Sequence, residues 1–306
     1  MAAIPEDSKV KYNFLGKSGL KVSNICLGTM TFGENMWGNP GQSDEAMAHQ
    51  ILDRFAAYGG NFLDTADIYG PENSESIIGT WLERQTRENF VVATKCRVNM
   101  NQNVNSVGLS RRHITNSIDG SLGRLRTDYV DVYQQQYSLA SRDSELEAFQ
   151  VCKNEGIGVL PWSPLKGGLL TGKVKRGQKP SEGRLEWAAA DERRTNQASP
   201  FWKSVPDKVF DTIDVAETIA NKHGRTIAQV ALRWVMQKDV TSSVIIGART
   251  MEQLDQNMGV NGWSLSAEEM KQLDDVSAPE IPYPYVMINR ANEDRVNRYT
   301  SDYYVK

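Results

Sequence analysis

The sequence predicts an α/β fold with a parallel sheet, and three observations favour a TIM-type (β/α) barrel. Short β-rich runs alternate with helical patterns from Ile25 to Met258, and strict alternation of this kind produces parallel strands. No Gly-x-Gly-x-x-Gly follows the first run at Ile25–Thr29, which argues against an open dinucleotide-binding sheet. The 306 residues contain no linker or low-complexity tract. Because barrels of this size fold undivided, we predict a single domain over Met1–Lys306.

Residue preferences, turn residues and capping residues predict the secondary-structure elements. A hairpin with a Gly-containing turn is predicted at Tyr12–Ser23. Runs rich in β-branched and aromatic residues predict strands at Ile25–Thr29, Asn61–Thr65, Phe90–Lys95, Tyr129–Tyr133, Gly158–Trp162 and Ser243–Ile246. Capping residues and helical patterns predict helices at Ser43–Tyr58, Pro71–Arg84, Arg111–Leu125, Glu145–Asn154, Lys208–His223, Thr226–Gln237 and Met251–Met258.

Two stretches do not follow the alternation. Lys166–Pro206 is polar and contains Gly and Pro, and its length favours a functional loop or lid over a simple connector. The tail from Ala278 is rich in Tyr, Pro and Asn, and we expect it to lie over the body of the protein.

Composition excludes several classes of function. A net charge of −3 and a pI near 5.8 give no electrostatic reason to bind nucleic acid or an anionic membrane. Apolar runs such as Ser243–Ile246 are too short to cross a bilayer, and the first residues carry no apolar signal core. We therefore expect a soluble, cytoplasmic protein. Three scattered cysteines and three histidines without partners at ligand spacing predict neither a disulfide framework nor a metal site.

Three polar residues stand at or just beyond predicted strand ends, where barrel enzymes place their chemistry. Asp64 and Lys95 close neighbouring strands, and Tyr69 lies in the loop after Asp64. A buried lysine needs a counter-charge, which Asp64 could supply. The ammonium would then lower the pKa of Tyr69, so that its phenol could donate a proton to a developing alkoxide. Taken singly, Tyr69 could be a loop anchor, and Asp64 and Lys95 could form a structural ion pair. The three residues together, at adjacent strand ends, favour a catalytic role.

Four motifs resemble the aldo-keto reductase family, near the branch of bacterial sugar-aldehyde reductases and potassium-channel β subunits: Asp64–Gly70 (DTADIYG), Thr94–Lys95, Trp162–Leu165 (WSPL) and Ile246–Arg249 (IGAR). The resemblance extends from the hairpin to about Trp263. It implies a TIM-type barrel with an N-terminal hairpin, NADPH as cofactor and a small carbonyl compound as substrate. The resemblance implies that Tyr69 is the general acid, that Lys95 adjusts the pKa of Tyr69 and that Asp64 holds Lys95 in place. It also implies a hydride transfer that needs no metal.

The resemblance also implies cofactor positions without a Rossmann motif. At the nicotinamide end it implies Gly28, Thr29, Met30, Asp64 and the stacking ring of Trp162. Along the pyrophosphate it implies Ser163, Pro164 and Leu165, with Lys173 and Arg184 as phosphate clamps. For Trp162 the alternative is core packing, and for Lys173 and Arg184 a solvated loop. Around the adenosine and 2′-phosphate it implies Gly247, Ala248, Arg249, Thr250, Gln253 and Asn257. The Arg249 guanidinium suits a bidentate phosphate contact.

The sequence departs from the family pattern after Tyr133. A catalytic His is expected there, but Gln134–Gln136 follow, and Tyr137–Asp143 is similar to what normally follows the sixth strand. Two βα units, about 60 residues, are therefore expected to be missing. The missing part would carry the His, the fifth strand with its Ser-Asn pair and two helices. We expect an incomplete or distorted barrel, either strained or open, with edges beside Val130 and Gly158 and exposed apolar surface.

The function expected is NADPH-dependent reduction of an aldehyde or ketone to an alcohol, with sugar-derived carbonyls among the candidates. The alternatives are a non-catalytic NADPH-binding or regulatory protein and an inactive shortened form, because the family's His is absent. One of Gln134, Gln135 and Gln136 could replace that His as an amide donor.

Overall fold

The computed structural model describes residues 3–33, 42–70, 73–96, 106, 110–128, 135–146, 149, 152–153, 156–178, 186, 205–288 and 290. It begins with the predicted hairpin, in which β1 (Tyr12–Phe14) pairs antiparallel with β2 (Lys21–Ser23). The hairpin turn lies close to the segment around Gly156: a Cβ at Gly16 would lie 2.3 Å from the Gly156 carbonyl oxygen. The hairpin is therefore tied to the body at a position that only glycine can occupy.

Four parallel strands form the main sheet, in the order β5-β4-β3-β8. They are β3 (Ile25–Gly28), β4 (Phe62–Asp64), β5 (Val91–Ala93) and β8 (Val244–Gly247). Gly28 pairs with Asp64 on one side and with Gly247 on the other, while Asp64 pairs with Ala93. The carboxyl ends of all four strands are therefore level. This register places whatever follows each strand at one edge of the sheet.

Two further parallel strands extend this arrangement. β6 (Gln135–Gln136) pairs with β7 (Pro161–Trp162), and an isolated parallel bridge joins Val159 to Thr241 just before β8. The described strands thus follow the order β6-β7-β8-β3-β4-β5, an arc and not a closed barrel. The expected edge beside Gly158 is wrong, because the segment that begins there pairs on both sides. Val130, and with it the predicted strand Tyr129–Tyr133, lies outside the described residues.

Seven α-helices have both ends among the described residues. They are α1 (Glu45–Ala57), α2 (Asn73–Leu82), α3 (Arg111–Leu125), α4 (Asp207–His223), α5 (Ile227–Met236), α6 (Met251–Met258) and α7 (Ala267–Ser277). The first six confirm predicted helices to within two residues at each end. The seventh was not predicted, although Ser266 and Glu269 form a capping box at its start. Of the predicted helix Glu145–Asn154, residues 145, 146, 149, 152 and 153 are described. Residues 149, 152 and 153 are helical, whereas Glu145 ends the 3₁₀ helix Asp143–Glu145 and Leu146 lies in a turn.

Apolar side chains cover both faces of the strands, as parallel sheets require. Ile25 and Leu27 of β3 pack into the larger core with Ile51 and Phe55 of α1. The alternate residues form a second cluster that includes Cys26, Phe62, Val91, Leu160 and Ile245. Because successive side chains of a strand point to opposite faces, the second cluster fills the concave side of the arc.

The exposed large hydrophobic residues of the described chain lie mainly away from the arc. They include Tyr12 and Phe14 of the hairpin and Ile281, Tyr283, Val286, Met287 and Ile288 of the tail. Tyr283 is 80% exposed, so its ring does not pack against the body, and residues 291–306 of the tail lie outside the described residues. No helix among the described residues has the length and apolar character needed to span a membrane.

Candidate active site

A buried carboxylate, Asp64, and a half-buried ammonium, Lys95, form an ion pair at the level carboxyl ends of β4 and β5. Lys95 Nζ lies 2.8 Å from each carboxylate oxygen of Asp64 and donates to the Thr65 carbonyl oxygen at 2.7 Å. Asp64 is 4% exposed, whereas Lys95 is 35% exposed. The ammonium is therefore anchored on its inner side and open to the mouth of the sheet.

Tyr69 reaches the same ammonium from the loop after β4. Its phenol oxygen lies 3.3 Å from Lys95 Nζ, and the ammonium is 4.8 Å from the centre of its ring. A tight turn brings it there, with the Tyr69 N–H donating to the Ala66 carbonyl oxygen at 3.1 Å. Gly70 follows with φ 55°, and a Cβ there would lie 2.6 Å from the Phe32 carbonyl oxygen. The turn thus depends on glycine.

The charges of this group keep Lys95 protonated. Burial by itself would lower the pKa of Lys95, but the carboxylate of Asp64 and the phenol of Tyr69 outweigh it and raise that pKa above its ordinary value. A fixed cation at 3.3 Å from a phenol favours the phenolate. Such a phenol can release its proton to a nearby acceptor more readily than a free tyrosine.

The residues expected at the nicotinamide end follow β3 and β7. The Thr29 N–H donates to the Asp64 carbonyl oxygen at 2.9 Å, so the turn after β3 lies against the end of β4. Trp162 is the last residue of β7 and is 40% exposed, so its ring is not simply packed in the core. Ser163, which follows, has φ 53°, a conformation that non-glycine residues adopt rarely.

The segment after β8 contains the residues expected around adenosine. Gly247 ends β8, and no atom of the described residues is recorded within 4 Å of a Cβ built there. Asn257 Nδ2 donates to the Gly247 carbonyl oxygen at 3.2 Å, and Gln253 Oε1 accepts from the Arg249 N–H at 2.8 Å. Thr250 caps the N-terminus of α6 through the Gln253 N–H. Gln253 and Asn257 thus shape the backbone of this segment.

The structure therefore brings most of the expected residues to one edge of the arc. Those that end or follow its strands there are Gly28, Thr29, Met30, Asp64, Tyr69, Lys95, Trp162, Ser163, Pro164, Leu165, Gly247, Ala248 and Arg249. Lys173 is exposed just beyond the 3₁₀ helix Lys166–Thr171 that follows Leu165. Arg184 lies outside the described residues, as does Gln134. Gln135 and Gln136 form β6 beside the end of β7.

Sequence reasoning missed a set of buried polar residues directly behind this edge. Ser74 and Glu75, in the first turn of α2, are fully buried and hydrogen-bond the threonines that follow the strands. Their signal in the sequence was weak, since serine and glutamate are ordinary first-turn residues of an exposed helix.

A family model described as the aldo/keto reductase family matches the chain in two segments, residues 24–135 and 132–278. The segments meet at 132–135, where the sequence departs from the family pattern. Oxidoreductase YrpG of Bacillus subtilis (strain 168), itself described as uncharacterized, is 31% identical over 335 aligned positions, covering 87% of this chain and 96% of YrpG. Because 335 exceeds the 306 residues present, that alignment contains gaps in this chain.

Two further relatives carry informative names. A probable voltage-gated potassium channel subunit beta of Arabidopsis thaliana is 30% identical over 81% of this chain and 90% of its own length. An aryl-alcohol dehydrogenase (NADP+) of Phanerodontia chrysosporium is 27% identical over 94% of this chain and 91% of its own length.

These matches confirm the resemblance that the motifs indicated. They also agree with the fold class, because the family has an α/β barrel and the described strands form a parallel arc flanked by helices. The chain belongs to the aldo/keto reductase family of NADP-dependent oxidoreductases.

Proposed function

We propose that this protein reduces an aldehyde or ketone to an alcohol with NADPH, using Tyr69 as the general acid. The observation that carries the proposal is the contact of the Tyr69 phenol with Lys95, which Asp64 holds through both carboxylate oxygens. These three side chains meet at the carboxyl edge of a parallel arc, the edge where barrel enzymes place their chemistry.

Each residue has one role in this proposal. Tyr69 donates its proton to the carbonyl oxygen as negative charge develops there. Lys95 stabilises the phenolate that remains, and Asp64 keeps the ammonium charged and in place. NADPH, when bound, supplies the hydride that reduces the carbonyl carbon. The 35% exposure of Lys95 leaves room for a substrate oxygen beside the phenol.

Several features of the chain suit NADPH. The partly exposed Trp162 ring offers a stacking surface at the end of β7, and the space over Gly247, free of atoms of the described residues, allows close approach of a ligand to the backbone. Arg249 stands at the start of α6, where the helix N-terminus favours a phosphate. Lys173 and Arg184 would add positive charge from the long loop. Trp162 would hold the nicotinamide, Lys173 and Arg184 the cofactor phosphates, and Gly247 and Arg249 the adenosine and 2′-phosphate end.

The candidate substrates are small aromatic or sugar-derived carbonyl compounds. Aromatic carbonyls are suggested by the name of the relative from Phanerodontia chrysosporium, and sugar-derived ones by the motifs shared with sugar-aldehyde reductases.

A second candidate is a protein that binds NADPH without turning over, or an inactive shortened form. The observation that favours it is the meeting of the two family segments at 132–135. We infer that two βα units are absent there, together with the His that would assist Tyr69. Loss of one such donor lowers the rate about a hundred- to a thousandfold. Gln134, Gln135 or Gln136 could restore part of it.

The test measures NADPH oxidation with a nitrobenzaldehyde and with a sugar aldehyde. Activity abolished by Tyr69→Phe supports the reductase. Tyr58→Phe is the control, because the Tyr58 phenol also hydrogen-bonds a charged side chain, donating to the Asp255 carboxylate at 2.7 Å. If the wild type is inactive, or if Tyr69→Phe retains full activity, the reductase proposal is wrong.

Binding is measured separately, as quenching of tryptophan fluorescence by NADPH. Trp162→Phe should remove most of the quenching, whereas Trp263→Phe, at a partly buried tryptophan elsewhere, should not. Tight binding without turnover would favour the non-catalytic protein. Absence of both would favour the inactive shortened form.

A further inference from the structure

Three neighbouring strands end in the same way. Thr29 follows β3, Thr65 follows β4 and Thr94 follows β5. Each threonine stands next to a residue of the proposed site: Thr29 precedes Met30, Thr65 follows Asp64 and Thr94 precedes Lys95. Any force that holds the three threonines together therefore also sets the spacing of these site residues.

Ser74 joins the first two threonines. Its hydroxyl oxygen lies 2.7 Å from the Thr29 hydroxyl and 3.1 Å from the Thr65 hydroxyl, and it donates to the Thr29 carbonyl oxygen at 2.9 Å. All three residues are fully buried. Water cannot replace these bonds, so a missing hydroxyl would leave buried polar groups without partners.

Glu75 holds the third threonine. One carboxylate oxygen accepts from the Thr94 hydroxyl at 2.5 Å, and the other accepts from Arg124 Nε at 2.7 Å. Glu75 is fully buried, and Arg124 on α3 supplies the opposite charge that such a carboxylate needs. The Glu75 bond thus links the end of β5 to both α2 and α3.

We propose that Ser74 and Glu75 act together as a positioning clasp for the catalytic edge. The clasp keeps the ends of β3, β4 and β5 in register, so that Lys95 stays between Asp64 and Tyr69 while the turn at Met30 stays beside them. This inference rests on the proposed function for its catalytic meaning. Its structural content, a local restraint on three strand ends, is independent of turnover.

The first test is hydrogen exchange of the protein without cofactor. Three backbone amides report on the strand ends. The N–H groups of Thr29, Thr65 and Asp67 donate to the carbonyl oxygens of Asp64, Ala93 and Lys95, respectively, on the neighbouring strand. In Ser74→Ala, the amides of Thr29 and Thr65 should exchange at least about tenfold faster than in the wild type. In Glu75→Ala, the amides of Thr65 and Asp67 should show an acceleration of the same size. Ser74→Thr and Glu75→Gln, which keep a hydrogen-bonding group, should restore part of the protection.

Two matched controls separate the clasp from general loss of stability. Ser277 is a buried helical serine that donates to Leu273 and accepts from Arg142, and Glu269 is a buried glutamate that pairs with Lys222. Ser277→Ala and Glu269→Ala should speed exchange near α7 and leave the three strand-end amides unchanged. Equal acceleration in controls and clasp variants, or no acceleration in the clasp variants, would overturn the proposal.

The second test separates binding from chemistry. Ser74→Ala and Glu75→Ala should lower kcat about ten- to a hundredfold with less than a threefold change in the KM for the carbonyl substrate, because small misplacements at a reacting centre act mainly on the chemical step. The two control variants should keep kcat. A clasp variant with normal kcat despite faster strand-end exchange would overturn the catalytic part. A wild type without turnover would refute the proposed function but leave the exchange result decisive for the clasp.

Discussion

Asp67 is a carboxylate placed where its charge is costly. It lies on the loop between Asp64 and Tyr69, is buried, and has no hydrogen-bond partner for Oδ2 within the described part of the chain. Burial raises its pKa to about 6 and the charge of Glu75 adds to this, while Ile68 N–H, Arg124 and His113 oppose the shift. The folded protein therefore keeps a proton on Asp67 at pH values where the unfolded chain has released it.

Asp67→Asn should stabilise the protein at pH 7–8 by about 1–2 kcal/mol. Because the pKa is raised on folding, wild-type stability falls as pH rises from about 4 to about 6, and the penalty is fully present above that window. The gain should therefore vanish towards pH 4. Denaturant unfolding across this range measures it, with the exposed Asp275→Asn as control. A gain of equal size at pH 4 and pH 8 would contradict the argument.

At the scale of single residues, much of the site was accessible from the sequence. The juxtaposition of Asp64, Tyr69 and Lys95 was predicted and is observed, because parallel strands in consecutive order bring their carboxyl ends together. The partners of Ser74 and Glu75 were not predictable. Their bonds join positions far apart in the chain and depend on how α2 seats on the strand ends.

Among the elements, α7 is held by its first turn. Glu269 accepts from the Ser266 N–H in a capping box and from Lys222 Nζ at 2.7 Å, and it lies 3.0 Å from His223 Nε2 at the end of α4. Burial alone would raise the pKa of Glu269, but the hydrogen bonds from Lys222, Ser266 and His223 lower it to about 2. One carboxylate thus caps one helix and ties it to another.

Glu269→Gln should destabilise the protein by about 2 kcal/mol at pH 7, since the ion pair with Lys222 of α4 is lost while an amide oxygen still caps α7. A lowered pKa contributes stability above the ordinary value of 4.5 that disappears as pH falls towards 2. The difference between variant and wild type should shrink over that range in thermal or denaturant unfolding. Glu268→Gln, at an exposed neighbour in the same turn, should have little effect.

Helix boundaries were largely predictable, because capping residues and turn glycines act locally. Thr226 caps α5 with Gln229 as its partner, and Gly224 in the left-handed conformation ends α4. The same local rule would have found α7. The pairing of β7 was left open, because an incomplete barrel allowed an unpaired edge beside Gly158, although β6 and β8 are its neighbours in strand order.

For the whole molecule, the arc of described strands runs from β6 to β5 without a described pairing between these two ends. The family segments meet at 132–135, between β5 and β6 in the chain. The meeting of the two family segments agrees with the proposal that two βα units are absent. Strand number, tilt and shear are linked in a barrel, so a shorter set cannot close in the usual geometry.

Insertion of those two units after Tyr133, taken from YrpG, should raise kcat about a hundred- to a thousandfold by supplying the missing donor. The readout is NADPH oxidation, and a Gly/Ser insert of equal length is the control. The insertion should also sharpen thermal unfolding if it completes the barrel. An unchanged kcat in a well-folded chimaera would show that the chain already contains its full catalytic set.

The sequence alone determined the alternation of strands and helices, the family motifs and the meeting of Asp64, Tyr69 and Lys95, because these depend on local preference and on strand order. Only the tertiary structure decided that the strands form an arc with the segment near Gly158 paired on both sides. It alone also placed Ser74 and Glu75 against three strand ends. Such contacts arise when distant elements pack and bury their polar groups together, and no local pattern in the chain encodes them.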